Sequence, residues 1–246
     1  DAKVMAYNWM LQHAFDGNIF NADTNLQTHI SQFVASLEPE HFWYQFEALT
    51  DQCVSYFSEK NNIPEGQPQI RCFTSRALYA FCDSDNPLFR TSDVNETFIR
   101  KASFLRQQAP TDLTISSKFL PNDPNKPIYP QSVDQANFLP FYSVPDDLFY
   151  RLSILHETLY EEVVRVLYDN KKPGVPLAVF RGDVGVGQED IMPIIIYILV
   201  HADIPNLPEM VDFFNAYTEQ NEVNSKSGLY MANIATAFGA IMNWDC

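Results

Sequence analysis

Apolar residues make up 46% of the 246-residue chain, which is ample for a packed core in one large domain or two smaller ones. Acidic residues outnumber basic residues by 31 to 16, and the net charge of -15 argues against binding to nucleic acid or to an anionic membrane by charge alone. The longest apolar run is far shorter than the ~20 residues that span a bilayer, so we expect no direct membrane insertion.

Helical periodicity describes the N-terminal part of the chain. Apolar clusters within residues 1–37 predict two helices, separated by a turn signal at 16–18. A third helix is predicted after Pro39, because apolar residues then recur on one helical face. A fourth helix is predicted over 69–81, and the Asp- and Asn-rich residues 83–87 close it.

Prolines mark the connections in the middle of the chain. Ser92 is the predicted N-cap of a fifth helix, which ends before Pro110. The proline-rich residues 110–130 predict a long surface connection, and a short helix is predicted over 130–139. The clearest amphipathic helix is predicted over 145–170, because leucine and valine side chains line one of its faces.

The most apolar stretch runs from Ile194 to Val200 and shows no polar stripe, which predicts a helix buried on all sides. A proline corner separates it from a predicted helix over 209–219, a polar loop over 221–228 and a last helix over 229–244 that is rich in small residues. No segment shows convincing strand alternation. The fold class is therefore predicted to be all-α.

No pattern in the sequence predicts a metal site, a cofactor or a covalent reaction. The four cysteines form no CxxC pair and the five histidines no HExxH motif, so we interpret the cysteines as reduced packing residues of a cytosolic protein. The glycine-rich residues 182–187 lack the Gly-Lys-Ser/Thr ending of a phosphate loop. No Ser/His/Asp or Cys/His constellation can be assembled from the local sequence.

Two acids, Glu189 and Asp190, stand directly before the most apolar stretch. In one interpretation they are an N-cap and a first-turn acid favoured by the helix dipole, with Pro193 in the first turn, where its missing N–H is not needed. In the other, one acid projects beyond the helix start and meets a cation on a partner. For neighbouring acids the two interpretations are compatible.

Two spacings in the C-terminal half match a known family. Residues 189–197 read acid-acid-x-x-Pro-x-x-x-Tyr, and residues 228–233 read Gly-x-Tyr-x-x-Asn. Together they resemble the Vps-nine (vacuolar protein sorting nine) domain of guanine-nucleotide exchange factors for Rab-five-type GTPases. The resemblance covers roughly residues 67–246 and implies a layered stack of helices, with residues 1–66 as a preceding helical layer.

The resemblance also implies a mechanism. Helices over 190–203 and 229–243 would form an apolar groove for the switch regions of a Rab. An acid at the start of the first helix would displace magnesium and pair with the phosphate-loop lysine, which lowers the affinity for GDP. The family uses an aspartate in that role; in this sequence the position falls on Glu189, with Asp190 beside it. The implied partner-binding residues are Pro193, Tyr197, Leu229, Tyr230, Ala232 and Asn233.

The sequence departs from the family pattern at two positions of the last helix. Leu229 stands where the family has a tyrosine, and Ala232 stands where it has a threonine. The resemblance implies a regulator of a small GTPase that needs no cofactor, located in the cytoplasm and recruited to early endosomes. The alternative is a degenerate Vps-nine-like interaction module, which binds a Rab or another partner without exchange activity. A third interpretation is an unrelated helical scaffold.

The chain begins at Asp1 rather than Met. We expect it to be a fragment or a processed piece of a longer protein. Its missing flanks would then carry the targeting signals and any contacts with other endosomal adaptors.

Overall fold

The computed structural model describes residues 2–13, 24–36, 42–64, 66–82, 93–142, 145–171, 174–181, 185–220 and 226–245. Within these ranges the chain is helical and contains no strand, which confirms the predicted all-α class. Several sequence predictions lie outside the described residues. They are the turn signal at 16–18, the helix-closing residues 83–87, the N-cap Ser92, the first half of the glycine-rich residues 182–187, and residues 221–225 of the polar loop predicted over 221–228. The prediction of a loop was wrong for residues 226–228, which belong to the first turn of a helix.

Eleven α-helices account for most of the described residues. Their bounds are α1 Ala2–His13, α2 Thr24–Ala35, α3 Phe42–Lys60, α4 Pro68–Cys82, α5 Asp93–Leu105, α6 Pro130–Ala136, α7 Pro145–Lys171, α8 Leu177–Phe180, α9 Gln188–His201, α10 Leu207–Gln220 and α11 Lys226–Met242. Short 3-10 helices over Ser117–Phe119 and Leu139–Phe141 flank α6 in the chain. Prolines begin or closely precede several helices, as expected for a residue whose missing N–H is tolerated in the first turn.

Internal contacts divide the chain into two compact units. Unit 1 comprises Asp1–Phe89 and Ser143–Asp147, and unit 2 comprises Arg90–Tyr142 and Leu148–Cys246. The predicted boundary between residues 66 and 67 falls inside unit 1, because α4 packs against α1 and α3.

Unit 1 is built on the amphipathic face of α3. Phe46, Leu49, Cys53 and Phe57 follow helical spacing, and each is at most 5% exposed, as the sequence predicts for that face. Polar contacts add to the packing: Arg71 on α4 pairs with acidic side chains of α3, and Arg76 donates twice to Asp147, at 2.6 Å each.

Unit 2 is built around α9, which contacts α5, α6 and α11. Every residue from Ile194 to Val200 is at most 9% exposed, so the apolar stretch is buried on all sides, as predicted. Apolar side chains of α7 are buried in the same unit; they include Leu148, Leu152, Leu155, Leu159 and Val163. A helix that is apolar all round requires neighbours on every side, and α9 has them.

Two cationic side chains, Lys101 on α5 and Arg106 just after it, donate to backbone carbonyls at or just beyond the C-terminal ends of α9 and α11. Arg106 Nε donates to the carbonyl of Val200 at 2.7 Å, and its Nη2 donates to that of Ala202 at 3.2 Å. Lys101 Nζ donates to the carbonyl of Trp244 at 2.6 Å, just beyond α11. The last carbonyls of a helix have no intrahelical donor and carry the negative end of its dipole, so cations are well placed there.

Candidate functional site

The start of α9 is set by Gly187. This glycine is the N-cap, with an extended backbone (φ -85°, ψ 168°), and the helix begins at Gln188. The sequence predicts Pro193 in the first turn; that prediction is wrong, because a glycine caps the helix and Pro193 lies inside it, in the second turn. Proline has no N–H, so the carbonyl of Glu189, four residues earlier, lacks its usual helical donor.

Asp190 closes the N-terminus of α9. Its Oδ2 accepts a hydrogen bond from the backbone N–H of Gly187 at 3.3 Å, and its Oδ1 lies 3.0 Å from Lys118 Nζ. The pKa of the Asp190 carboxyl is lowered, chiefly by the hydrogen bond from Lys118. Partial burial opposes this shift, while the Gly187 N–H and the charge of Lys118 lower the pKa further. In a full capping box the side chain of the N-cap residue also accepts a hydrogen bond from the backbone N–H of the third helical residue. Glycine has no side chain, so only the bond from the Gly187 N–H to Asp190 is present.

Glu189 behaves differently from its neighbour. Its side chain is exposed, and no hydrogen bond or ion pair joins it to another residue in the described part of the chain. The carboxyl group lies over Gly187, because a Cβ added to that glycine would come within 2.6 Å of the Glu189 carboxyl carbon. The acid therefore lies near the positive end of the α9 dipole, where negative charge is stabilised.

Lys118, which pairs with Asp190, sits on a well-fixed segment over 117–120. Asn170 Nδ2 donates to the carbonyls of Lys118 and Leu120 at 3.1 and 2.8 Å. The Tyr129 hydroxyl donates to the carbonyl between them, that of Phe119, at 2.7 Å, and burial raises the pKa of this tyrosine, which keeps the hydroxyl protonated. The sequence analysis missed Lys118 because it lies in a proline-rich connection with no motif.

Asn233, a predicted partner-binding residue, faces α9 instead of solvent. It is 6% exposed. Its side-chain carbonyl accepts a hydrogen bond from the side-chain amide of Gln188. This bond joins the first residue of α9 to the middle of α11, so Asn233 positions the two helices and offers little surface to a partner.

Tyr197 is also turned inward. It is 9% exposed and stacks on His201, with ring centroids 3.9 Å apart and planes 24° apart. Burial raises the pKa of its hydroxyl. His201 Nδ1 lies 2.8 Å from the Tyr197 carbonyl. Pro193, one turn earlier, is half-buried and closer to the surface.

The exposed face of α11 contains the other predicted residues. Leu229 is 54% exposed, and Ala232 and Thr236 follow on the same face at helical spacing. Tyr230 is half-buried, because its ring stacks on His156 with centroids 4.0 Å and planes 11° apart. Thr236 was missed by the sequence analysis; it places a hydroxyl one turn beyond Ala232, and that hydroxyl donates to the Ala232 carbonyl at 2.7 Å.

The site therefore consists of the start of α9 and the exposed face of α11, two helices in contact within unit 2. Among the residues that the structure describes, no group of three or more His, Cys, Asp or Glu side chains is arranged to hold a metal ion. A cavity of about 790 Å³ lies elsewhere, lined by residues between 121 and 131 and between 162 and 174, and it includes neither acid of α9.

None of the described helices combines the length and the hydropathy that a membrane span requires. No protein-family model matches the sequence, and no curated protein matches it. The resemblance to the Vps-nine domain therefore depends on the motif residues in 189–197 and 228–233.

Proposed function

We propose that unit 2 is a guanine-nucleotide exchange domain for a small GTPase of the Rab-five type, with Glu189 as its acidic finger. One observation supports this most strongly: the two neighbouring acids at the start of α9 have different surroundings. Asp190 is bonded to Gly187 and Lys118. Glu189 is exposed at the start of the helix and is paired with nothing in the described residues.

The proposed chemistry is electrostatic. In a GDP-bound GTPase, magnesium and the phosphate-loop lysine neutralise the phosphates. The carboxylate of Glu189 would enter that site, compete with the phosphates for magnesium and pair with the lysine. GDP would then lose both of its cationic contacts, and its affinity would fall without any covalent step. A glutamate has one more methylene than an aspartate and so reaches further from the helix.

The face of α11 supports the same proposal. Leu229 is a large apolar side chain that is more than half exposed, and Ala232 and Thr236 continue its face with small side chains. Large exposed apolar patches with a polar rim mark protein-binding sites, and this face supplies one large apolar side chain, Leu229. The hydrogen bond from Gln188 to Asn233 joins the start of α9, where Glu189 lies, to the middle of α11, the helix that carries this face.

The experiment that tests the proposal is release of fluorescently labelled GDP from a panel of Rab-five-type GTPases. The full chain is expected to accelerate release from at least one of them, and Glu189→Ala is expected to abolish the acceleration. The matched control is Glu157→Ala, because Glu157 is an exposed acid on α7 in the same unit. A flat release curve across the panel would remove the proposal.

A second candidate function is an interaction module that binds such a GTPase without exchanging its nucleotide. The inward position of Tyr197 and Asn233 favours it, since two of the predicted contact residues have little surface to offer a partner. This candidate predicts a measurable complex in a binding assay together with unchanged GDP release. Absence of any complex would sink both candidates.

A further inference from the structure

We infer that Lys118 determines which of the two acids at the start of α9 is available to a partner. By pairing with Asp190 it commits that carboxylate to the helix start, and Glu189 is left as the acid that meets an incoming cation. The inference rests on the proposed function only for the identity of that cation, a lysine of the GTPase. The assignment itself concerns groups within unit 2.

Both oxygens of the Asp190 carboxylate are in use. One accepts the Gly187 N–H at 3.3 Å, and the other lies 3.0 Å from the ammonium of Lys118. To reach a cation on a partner, Asp190 would have to give up a charge-assisted contact and uncap the helix. Glu189 has neither contact, so moving its carboxylate breaks no hydrogen bond or ion pair within the described residues and costs only part of its favourable interaction with the α9 dipole.

An exposed ion pair is ordinarily weak, because holding two flexible side chains together costs conformational entropy. Lys118 differs from an ordinary surface lysine in how its backbone is held. The carbonyls of Lys118, Phe119 and Leu120 each accept a side-chain hydrogen bond, from Asn170 or Tyr129. Its ammonium also lies 4.5 Å from the centre of the Phe119 ring, which is itself buried. The fold therefore fixes the backbone that carries Lys118, and the contact with the Phe119 ring orders part of its side chain.

The exposure of the two partners agrees with this role. The Asp190 side chain is 18% exposed, whereas that of Lys118 is 52% exposed. The aspartate is thus the more covered member of the pair and the lysine the more exposed one. A substitution that removes the ammonium should open Asp190 to reagents in solution and leave Glu189 as it was.

The test is carbodiimide-driven labelling of carboxyl groups with a small amine, followed by peptide mass spectrometry of the full chain. In the wild type, Glu189 is expected to be labelled much faster than Asp190. Lys118→Met should raise the Asp190 labelling rate several-fold without changing that of Glu189. Lys118→Arg should restore protection, because it restores the cation.

The matched control is Lys126→Met, since Lys126 is an equally exposed lysine whose nearest acid is Asp169, at 3.9 Å. It should leave Asp190 protected. Equal labelling of Glu189 and Asp190 in the wild type, or an Asp190 rate unaffected by Lys118→Met, would overturn the assignment. The labelling uses no GTPase, so a failure to accelerate GDP release would remove the proposed function alone and leave this assignment standing.

Discussion

Gln188 and Asn233 join the two helices of the site through one side-chain hydrogen bond, from the amide of the first residue of α9 to the carbonyl of a buried asparagine on α11. At the opposite end of α9, Arg106 donates to the carbonyl of Val200, and just beyond α11 Lys101 donates to that of Trp244. The position of Glu189 relative to the exposed face of α11 is therefore fixed by polar contacts at both ends and by apolar packing between them.

Loss of the Gln188–Asn233 bond should destabilise unit 2. Asn233→Ala is expected to lower the free energy of unfolding by about 1 to 2 kcal/mol, because a buried partner is removed; Gln188→Ala, at an exposed position, should cost less. Urea denaturation of both variants and the double variant gives the coupling energy, which we expect to be about 0.5 to 1.5 kcal/mol. Strictly additive effects would show that the bond does not form in solution.

Arg106, which binds the C-terminal end of α9, should contribute more to the stability of unit 2 than the exposed Arg100 on α5. Arg106→Met is expected to lower the free energy of unfolding by about 1 to 3 kcal/mol, because the carbonyls of Val200 and Ala202 lose a charged donor. Arg100→Met is the matched control, since Arg100 is an exposed arginine on α5, the helix that ends just before Arg106; its effect should stay within about 0.5 kcal/mol. Equal urea midpoints for the two variants would contradict this assignment.

His156 should make the stability depend on pH. Burial lowers the pKa of His156 from 6.5 to about 4, while its hydrogen bond to the Tyr230 backbone opposes this. Between those two values the unfolded chain binds more protons than the folded chain. The stabilisation that comes from keeping His156 neutral is therefore fully present above the ordinary histidine pKa. It is lost as the pH falls toward the pKa of the folded state, and the loss is on the order of 2 to 3 kcal/mol.

The variant that checks this is His156→Phe, which keeps an aromatic ring against Tyr230 and cannot titrate. Thermal unfolding from neutral pH to about pH 4 should show a shallower loss of stability in the variant than in the wild type. The pKa of His201 is also lowered by burial, so part of the slope should remain. If the two proteins lost stability in parallel as the pH falls, the pH dependence would come entirely from groups other than His156.

Much of the fold was predictable because its signals are local. Helical spacing of Phe46, Leu49 and Cys53 and the absence of polar residues between Ile194 and Val200 each specify burial without knowledge of a partner element. The start of α9 was harder to predict. A glycine cap gives no side-chain signal, so the acids and Pro193 suggested a later start than the one at Gln188.

Which side of α11 faces the core was not predictable from the sequence, for a related reason. Its apolar and small residues occur all round the helix, so no stripe distinguishes the core side from the solvent side. Leu229 is exposed and Asn233 is buried, the reverse of what polarity alone indicates. The pairing of Lys118 with Asp190 joins residues far apart in the chain, and only the tertiary fold brings them together.

The exposed face of α11 should bind the partner without contributing to stability. Leu229→Glu is expected to weaken binding to the GTPase at least tenfold, because an apolar contact is replaced by a charge. The free energy of unfolding should change by less than about 0.5 kcal/mol, since the side chain is more than half exposed. Val179→Glu, at a 60% exposed position on α8, is the matched control for binding. Wild-type affinity in Leu229→Glu would place the binding surface elsewhere.

The most direct test of the central claim is the rate of labelled-GDP release from a responsive Rab-five-type GTPase, measured with the wild type, Glu189→Gln, Asp190→Asn and Glu157→Gln. Glutamine fits the same space as glutamate and carries no charge, so the account predicts that Glu189→Gln loses the acceleration while Glu157→Gln retains it. Asp190→Asn should reduce the rate only in part, because it weakens the contacts of residue 190 with Lys118 and Gly187 at the start of α9. Release by Glu189→Gln at the wild-type rate would contradict the claim that Glu189 acts as the acidic finger.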